Sequence, residues 1–328
     1  MNPFPAFLIM EGEIVHKINP LTESALMATL TVVISVAVIY IPFIGTLCVL
    51  LWAVPTAILT SRHGPRYGLM SVITAFAVMA LIIGPVRSFG LCVAFAPGGL
   101  TLGYCLHKNY GIMKIFLCAL TASTIAKFLG LLLAFALTSV NPMDMQLDVM
   151  KEYFGAMVDI YREAGVDATV IAEMEERMRL SLELVMLIMP LMVLIMGLVE
   201  TCVAYWLMGI VMSRLHADMP KLPPFSQWRF SVAFLYLMGF ALVGIYWGES
   251  RQIDLLYRLS VNASVLSLML GLVEGLSLIR FATLRFNISR LVFVLIAVIV
   301  LSGGILTQIV AMIGLVDMLF DYRRHFEQ

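Results

Sequence analysis

Long apolar runs joined by short polar connectors make up most of this chain. They fall at about 24–40, 43–60, 67–84, 87–106, 112–139, 182–213, 230–247 and 257–279, and a final apolar stretch covers 288–320. A helix needs about 20 mostly apolar residues to cross a hydrocarbon core. The connectors carry turn residues, as in Tyr40-Ile41-Pro42, Ser61-Arg62-His63-Gly64-Pro65 and Gly84-Pro85. Backbone groups cannot stay unpaired in lipid, so the runs are expected to be helices. A β-barrel would alternate polar and apolar residues in ten-residue segments, whereas these runs are apolar on all sides. The pattern predicts an all-α polytopic transmembrane helix bundle of about nine or ten passes. The final stretch, 33 residues long, would measure about 50 Å as one helix, too long to cross without steep tilt. Ser302-Gly303-Gly304 lies near its middle, and a break there gives two short passes that return the C-terminus to the cytosol.

The segment at 140–180 departs from this pattern. It holds nine acids between Asp144 and Glu176 against Lys151, Arg162, Arg177 and Arg179. Asn141-Pro142 reads as a helix start. Met143, Leu147, Met150, Phe154, Met157 and Tyr161 then form one apolar stripe at helical spacing. Gly165 ends that helix, and a second is expected to run into the sixth span. The stripe could lie on the membrane, cap the bundle or meet a partner helix. The acidic polar face disfavours anionic lipid, and capping the bundle is the expectation.

Composition sharpens the class. Hydrophobic residues are 61% of the 328 and charged residues 13%, against roughly 45–50% and a quarter in soluble domains. The mean hydropathy is +0.98. A soluble globule, a nucleic-acid binder and a disordered tail are excluded, and the lipid bilayer is the partner the chain requires. Its 21 basic and 21 acidic residues cancel, so orientation must come from their distribution. With a cytosolic N-terminus, the cytosolic side receives Lys17, Arg62, Arg66, Lys108, Lys114, Arg214, Lys221, Arg229, Arg280, Arg285 and Arg290. The far side receives Arg87, Arg251, Arg258 and the four basic residues of the insertion. His16, His63, His107 and His216 also fall on the cytosolic side, and the break at 302–304 brings Arg323, Arg324 and His325 there too. The first 23 residues lack the order of a signal peptide, so the first helix is expected to stay as a span.

Little in the chain points to catalysis. There is no HExxH, GxSxG or GxxxxGK[ST] sequence, and no histidine lies deep in a span. The five cysteines sit inside apolar runs without CxxC spacing, which argues against disulfides and zinc. The expectation is a protein without enzymatic activity, cofactor or metal, one that needs a partner ATPase or an ion gradient for any active transport. Charged residues within spans are the functional candidates. Lys127 lies 13 residues from Lys114, and Glu200 lies 14 from Arg214. Both therefore sit about 20 Å from the cytosolic rim on consecutive antiparallel helices. They form either a structural ion pair or a polar site at the midplane. Arg87, at the outer end of the fourth span, either snorkels to head groups or contacts an anionic ligand. Glu274 is expected to reach the cytosolic interface. Glu200, Glu274 and Asp317 each follow Gly-Leu-Val, which in so apolar a chain is assigned to chance. Pro97-Gly98-Gly99 and Gly99-xxx-Gly103 are expected to serve close helix packing.

The run Leu222-Pro223-Pro224-Phe225-Ser226-Gln227-Trp228-Arg229 resembles the cytosolic loop of the YybS-like family of bacterial membrane proteins. Leu21-Thr22-Glu23-Ser24-Ala25-Leu26, the Asn141-Pro142 loop and the ending from Ile313 to Arg324 carry the likeness over most of the chain. The resemblance implies a bacterial cytoplasmic-membrane location and an architecture more than an activity. The first six spans, 1–215, are also similar to the substrate-capture (S) subunits of energy-coupling-factor transporters, with 216–328 as an added C-terminal unit of three or four spans. That similarity implies small-solute capture beside a transmembrane coupling subunit with ATPases. Ser24 and Ala28 would be the docking residues, and Arg87, Lys127 and Glu200 the ligand-binding ones. The rival expectation is a non-transporting scaffold of an envelope complex, with Pro223, Pro224, Trp228 and Arg229 in a contact surface inside and the Met143–Tyr161 stripe outside.

Overall fold

The computed structural model describes residues 19–41, 44–214 and 219–323. His16, Lys17, Pro42, His216, Arg324 and His325 lie outside them. The described residues form helices α1 (Pro20–Tyr40), α2 (Ile44–Leu51), α3 (Ala53–His63), α4 (Pro65–Ile82), α5 (Pro85–His107), α6 (Ile112–Thr138), α7 (Pro142–Glu163) and α8 (Ala168–Arg214). A 3-10 turn at Phe225–Gln227 precedes α9 (Ala233–Ser250), α10 (Asp254–Arg285), α11 (Arg290–Leu301) and α12 (Ile305–Phe320). Several starts follow directly from sequence. Proline opens α1, α4, α5 and α7, where its missing N–H costs nothing. The Asn19 and Asn141 side chains cap α1 and α7 by accepting from the amides of Leu21 and Met143.

Seven of the described helices are long and apolar enough to cross a membrane, or eight spans if the bent α11–α12 pair counts as one. This is fewer than the nine or ten passes expected, for two physical reasons. The predicted run at 43–60 is interrupted at Trp52, whose amide bonds the Val49 carbonyl in a tighter turn, which leaves two short helices. The 288–320 stretch breaks where expected, at 302–304, and its halves bend by 109°. At 12 and 16 residues they are about 18 and 24 Å long, each shorter than a hydrocarbon core of about 30 Å.

The chain forms two compact units: Met1–Leu133 with Gly197–Met219, and Ala134–Met196 with Pro220–Gln328. They do not follow chain order, and the acidic insertion belongs to the second. In the first unit α3 packs on α5, and α4 packs on both α1 and α5. Glycines permit the closest approach: a Cβ on Gly99 or Gly103 would come within 2.6 or 2.4 Å of the carbonyls of Ala53 and Ala57. The Gly99-xxx-Gly103 pair therefore serves packing, as its spacing implied. Trp52, fully buried, donates its indole N–H to Ser35 Oγ at 2.8 Å.

In the second unit α10 packs against α9 and α12. The α11–α12 pair begins and ends at the same end of this unit. Phe293 near its start stacks 6.3 Å from Phe225, and Arg323 just past its end donates to the Ser226 carbonyl at 2.7 Å. At the other side of the break the Thr307 hydroxyl reaches the Val300 carbonyl at 2.5 Å. Helix α8 runs unbroken from the insertion into the sixth span, as expected. The α7 stripe is only partly covered. Leu147 and Val158 are buried, but Met157 and Tyr161 are exposed, and an exposed Arg162–Glu175 pair at 3.3 Å links α7 to the start of α8.

Candidate functional site

Two clusters of buried charge stand out, one in each unit. In the first, Lys127 of α6 pairs with Glu200 of α8, as their matching depth implied. Both are buried, at 8% and 2% exposure. Ser123, one turn before Lys127, completes a triangle. Its Oγ accepts from Lys127 Nζ at 2.8 Å and donates to Glu200 Oε2 at 2.9 Å. The Phe95 ring lies 4.8 Å from the ammonium, a favourable face for a desolvated cation. All of this polarity falls on one carboxylate oxygen. The other, Oε1, has no hydrogen-bond partner among the described residues, and neither does Thr124 Oγ1. Oε1 lies beside Gly98 of α5, where a Cβ would come within 3.3 Å of it. Pro97, next to that glycine, has no N–H to donate to the preceding helical turn. Arg87 is exposed and lies eleven residues before Gly98, or about 16 Å of helix rise. The structure does not bring it to the pair.

The second cluster gathers around Arg323. Its Nη1 donates to the Ser226 carbonyl, while Nη2 reaches the Trp228 carbonyl, Ser277 Oγ and Glu274 Oε1, each at 3.1 Å. Its Nε lies 3.5 Å from Asp317 Oδ2. Glu274 and Asp317 are fully buried. Each also accepts a backbone N–H, from Phe230 at 2.8 Å and from Tyr322 at 2.9 Å. Ser277 donates to the carbonyls of Phe225 and Trp228, and Arg229 pairs with Asp321 at 2.8 Å. Asp321 ends α12 in the left-handed conformation, φ 51°, which turns the chain so that Arg323 points back over α12. The Leu222–Arg229 run and the Asp317–Arg323 ending, two of the segments behind the family resemblance, thus meet in one cluster.

Sequence reasoning missed this second cluster. Glu274 was expected to reach the interface and is instead buried and bonded to Arg323. The signal was the Gly-Leu-Val-acid run that was assigned to chance. In each case the glycine makes a close helix contact and the acid, one turn further on the same face, meets a cation at that contact. A Cβ on Gly314 would lie 1.9 Å from the Gly271 carbonyl, and one on Gly197 would lie 2.9 Å from Thr124 Oγ1. Glu274 and Asp317 then share Arg323, and Glu200 takes Lys127.

The expected contact residues divide. Ser24 and Ala28 are buried within the first unit, so neither is presented to a coupling subunit. Their neighbour Glu23, also buried, binds Arg62 and, at 2.7 Å, His63 Nε2. Pro223 and Pro224 are exposed, Trp228 is half-buried with its indole N–H on the Pro223 carbonyl, and Arg229 is exposed at the rim.

Comparison with known proteins agrees with this picture of a membrane protein. The chain is 23% identical to the uncharacterised protein YybS of Bacillus subtilis (strain 168) over 307 residues, covering 92% of this chain and 97% of that relative. No solved structure matches it. The family model for predicted membrane proteins of DUF2232 matches residues 29–318. With nearly its whole length matched, the chain belongs to that DUF2232, YybS-like family.

Proposed function

We propose that this protein captures or transports a small solute in the bacterial cytoplasmic membrane, with both termini cytosolic and with Lys127 and Glu200 at the polar centre. The observation that carries this reading is Glu200 Oε1, a buried acceptor deep in an apolar span that has no partner among the described residues. A pair kept only to hold two helices together gains nothing from leaving a carboxylate oxygen unbonded, because such a group costs about 1–3 kcal/mol or more. An intramembrane charge with spare bonding capacity beside a proline-interrupted helix can instead receive a solute or coupling ion. The chain has no nucleotide-binding loop, so energy would come from a separate partner, such as a transmembrane coupling subunit with ATPases, or from an ion gradient. Such a partner would dock on a face other than Ser24 and Ala28, and no catalytic residue is assigned.

The test is mass spectrometry of the protein purified in mild detergent from its own membrane, wild type beside Glu200→Gln. A stoichiometric small molecule that disappears in Glu200→Gln, or a co-purifying ATPase pair, supports capture. A folded, ligand-free protein that brings down envelope proteins instead favours a scaffold. One observation favours that second reading. Tyr153, Met157 and Ile160 lie exposed on α7, a helix outside the candidate spans, and so could receive a protein partner.

A further inference from the structure

Beside the Arg323 cluster the second unit opens a cavity of about 570 Å³. Its lining combines Arg229, Arg285, Arg323 and Gln227 with the apolar Phe281 and Leu284, and one acid, Asp321. These side chains differ in freedom. Arg323 is buried and its donors are directed at Ser226, Trp228, Ser277, Glu274 and Asp317, so it forms a fixed wall. Glu274 and Asp317, which neutralise it, are fully buried and absent from the lining. Arg229 is held at the rim by Asp321 through Nη2 and makes no second ion pair among the described residues. Arg285 is exposed at the end of α10 and makes no ion pair among the described residues.

We propose that this cavity binds the phosphate of an anionic phospholipid headgroup, with Arg285 and the free side of Arg229 as its donors. Guanidinium groups match phosphate oxygens with paired N–H bonds. The apolar wall decides the source. Leu284 is half exposed, and Phe286 and Ile288, which follow it in the chain, are exposed apolar residues too. A soluble phosphate has no use for such a wall, whereas a lipid can lay its acyl chain along it. The same end of the unit carries Lys221, Arg280 and Arg290, and basic pockets between helices at a cytosolic membrane face are suited to anionic lipid. This site shares no residue with the Lys127–Glu200 centre and does not depend on the capture reading.

The experiment is native mass spectrometry of the full chain in mild detergent, titrated with phosphatidylglycerol and, separately, phosphatidylcholine. Wild type is compared with Arg285→Gln and Arg290→Gln; both residues are exposed, but only the first lines the cavity. The expected result is one phosphatidylglycerol retained by wild type and Arg290→Gln, at least tenfold weaker retention by Arg285→Gln, and no saturable phosphatidylcholine. Competition with inorganic phosphate separates the sources. If millimolar phosphate leaves the lipid in place, the headgroup assignment holds; if it displaces the lipid, the site takes a soluble anion and the lipid assignment is overturned. Equal retention by wild type and Arg285→Gln, or equal binding of the two lipids, overturns the site altogether.

Discussion

The Lys127–Glu200 pair of the first unit and the Arg323 cluster of the second address the same problem, charge away from water, with different numbers of partners. Around Arg323, two carboxylates, a hydroxyl and two backbone carbonyls surround one guanidinium, and each acid is also given a backbone amide. Three separate pieces of chain are tied together: α10, the end of α12 and the loop before α9. Around Lys127 one ammonium and one hydroxyl meet one carboxylate oxygen, and the other oxygen has no partner among the described residues. The Arg323 cluster is not fully satisfied either, since Arg323 Nε and Asp317 Oδ2 lack a hydrogen-bond partner among the described residues, but these two face each other at 3.5 Å. A network that joins three elements holds a fold in place. Glu200 Oε1 faces no cation among the described residues, which is why function is proposed for the first unit's pair and architecture for the second unit's cluster.

The largest effect expected from breaking this contrast is at Arg323. Arg323→Met leaves two buried carboxylates without their cation and should cost about 3–5 kcal/mol. It should be visible as a lowered thermal unfolding temperature in detergent and as early proteolysis within 220–323. Lys127→Met should cost less, about 3 kcal/mol, because only one carboxylate is stranded. Adding Glu200→Gln should recover part of that loss, because a neutral pair removes the lone buried charge. If the two single changes prove additive in the double variant, the two side chains are not coupled, and the contrast between the clusters loses its basis.

How much of this was legible follows from what each signal depends on. The helices were legible because lipid forces apolar runs to close their own hydrogen bonds. The break at 302–304 was legible because two glycines follow a serine in a run too long to cross once. The grouping of helices was not, since helices apolar on all sides carry no stripe to show which face meets which neighbour. The same reason hid the Arg323 cluster: Glu274 lies close enough to Arg280 to read as an interfacial acid, and Arg323 reads as part of a basic tail. Only the left-handed Asp321 turns Arg323 back to the cluster, and an aspartate signals such a turn far less strongly than a glycine. Lys127 and Glu200 were legible because opposite charges at equal depth in neighbouring spans have little else to do.

The glycines that precede these acids sharpen the contrast at a smaller scale. Gly314→Ala places a Cβ against the Gly271 backbone, which has no rotamer to change, so the α10–α12 contact must open. A loss of about 3 kcal/mol, at the upper end of overpacking penalties, is expected. Gly197→Ala meets the Thr124 hydroxyl, a side chain that can rotate away, and should cost about 1 kcal/mol. Thermal unfolding of both variants checks the order. Equal losses would mean that the recurring Gly-Leu-Val-acid run does not set helix distance in the same way in the two units.

The smallest effect is expected where a charge is fully exposed, and it shows what burial adds in the two clusters. Asp167, just before α8, accepts from the Thr169 hydroxyl at 2.5 Å and its amide at 2.8 Å. These bonds hold its carboxyl below the usual carboxylate range. A lowered folded-state pKa means the stabilisation is complete above the ordinary carboxylate pKa of about 3.9 and is lost as pH falls from there through the lowered value. Protection of the first α8 amides against hydrogen exchange, corrected for the intrinsic rate, should therefore be constant from pH 7 to 5 and drop as the pH falls below about 4. Asp167→Asn keeps an acceptor for Thr169 but cannot titrate, so its protection should not follow that drop. Unfolding of the chain as a whole should not respond to this change, because an exposed cap on one turn of α8 supports only that turn, whereas Arg323 and Lys127 each join separate elements. If Asp167→Asn lowered the global unfolding temperature as much as Lys127→Met, burial would not be what separates the strong charges of this protein from the weak ones.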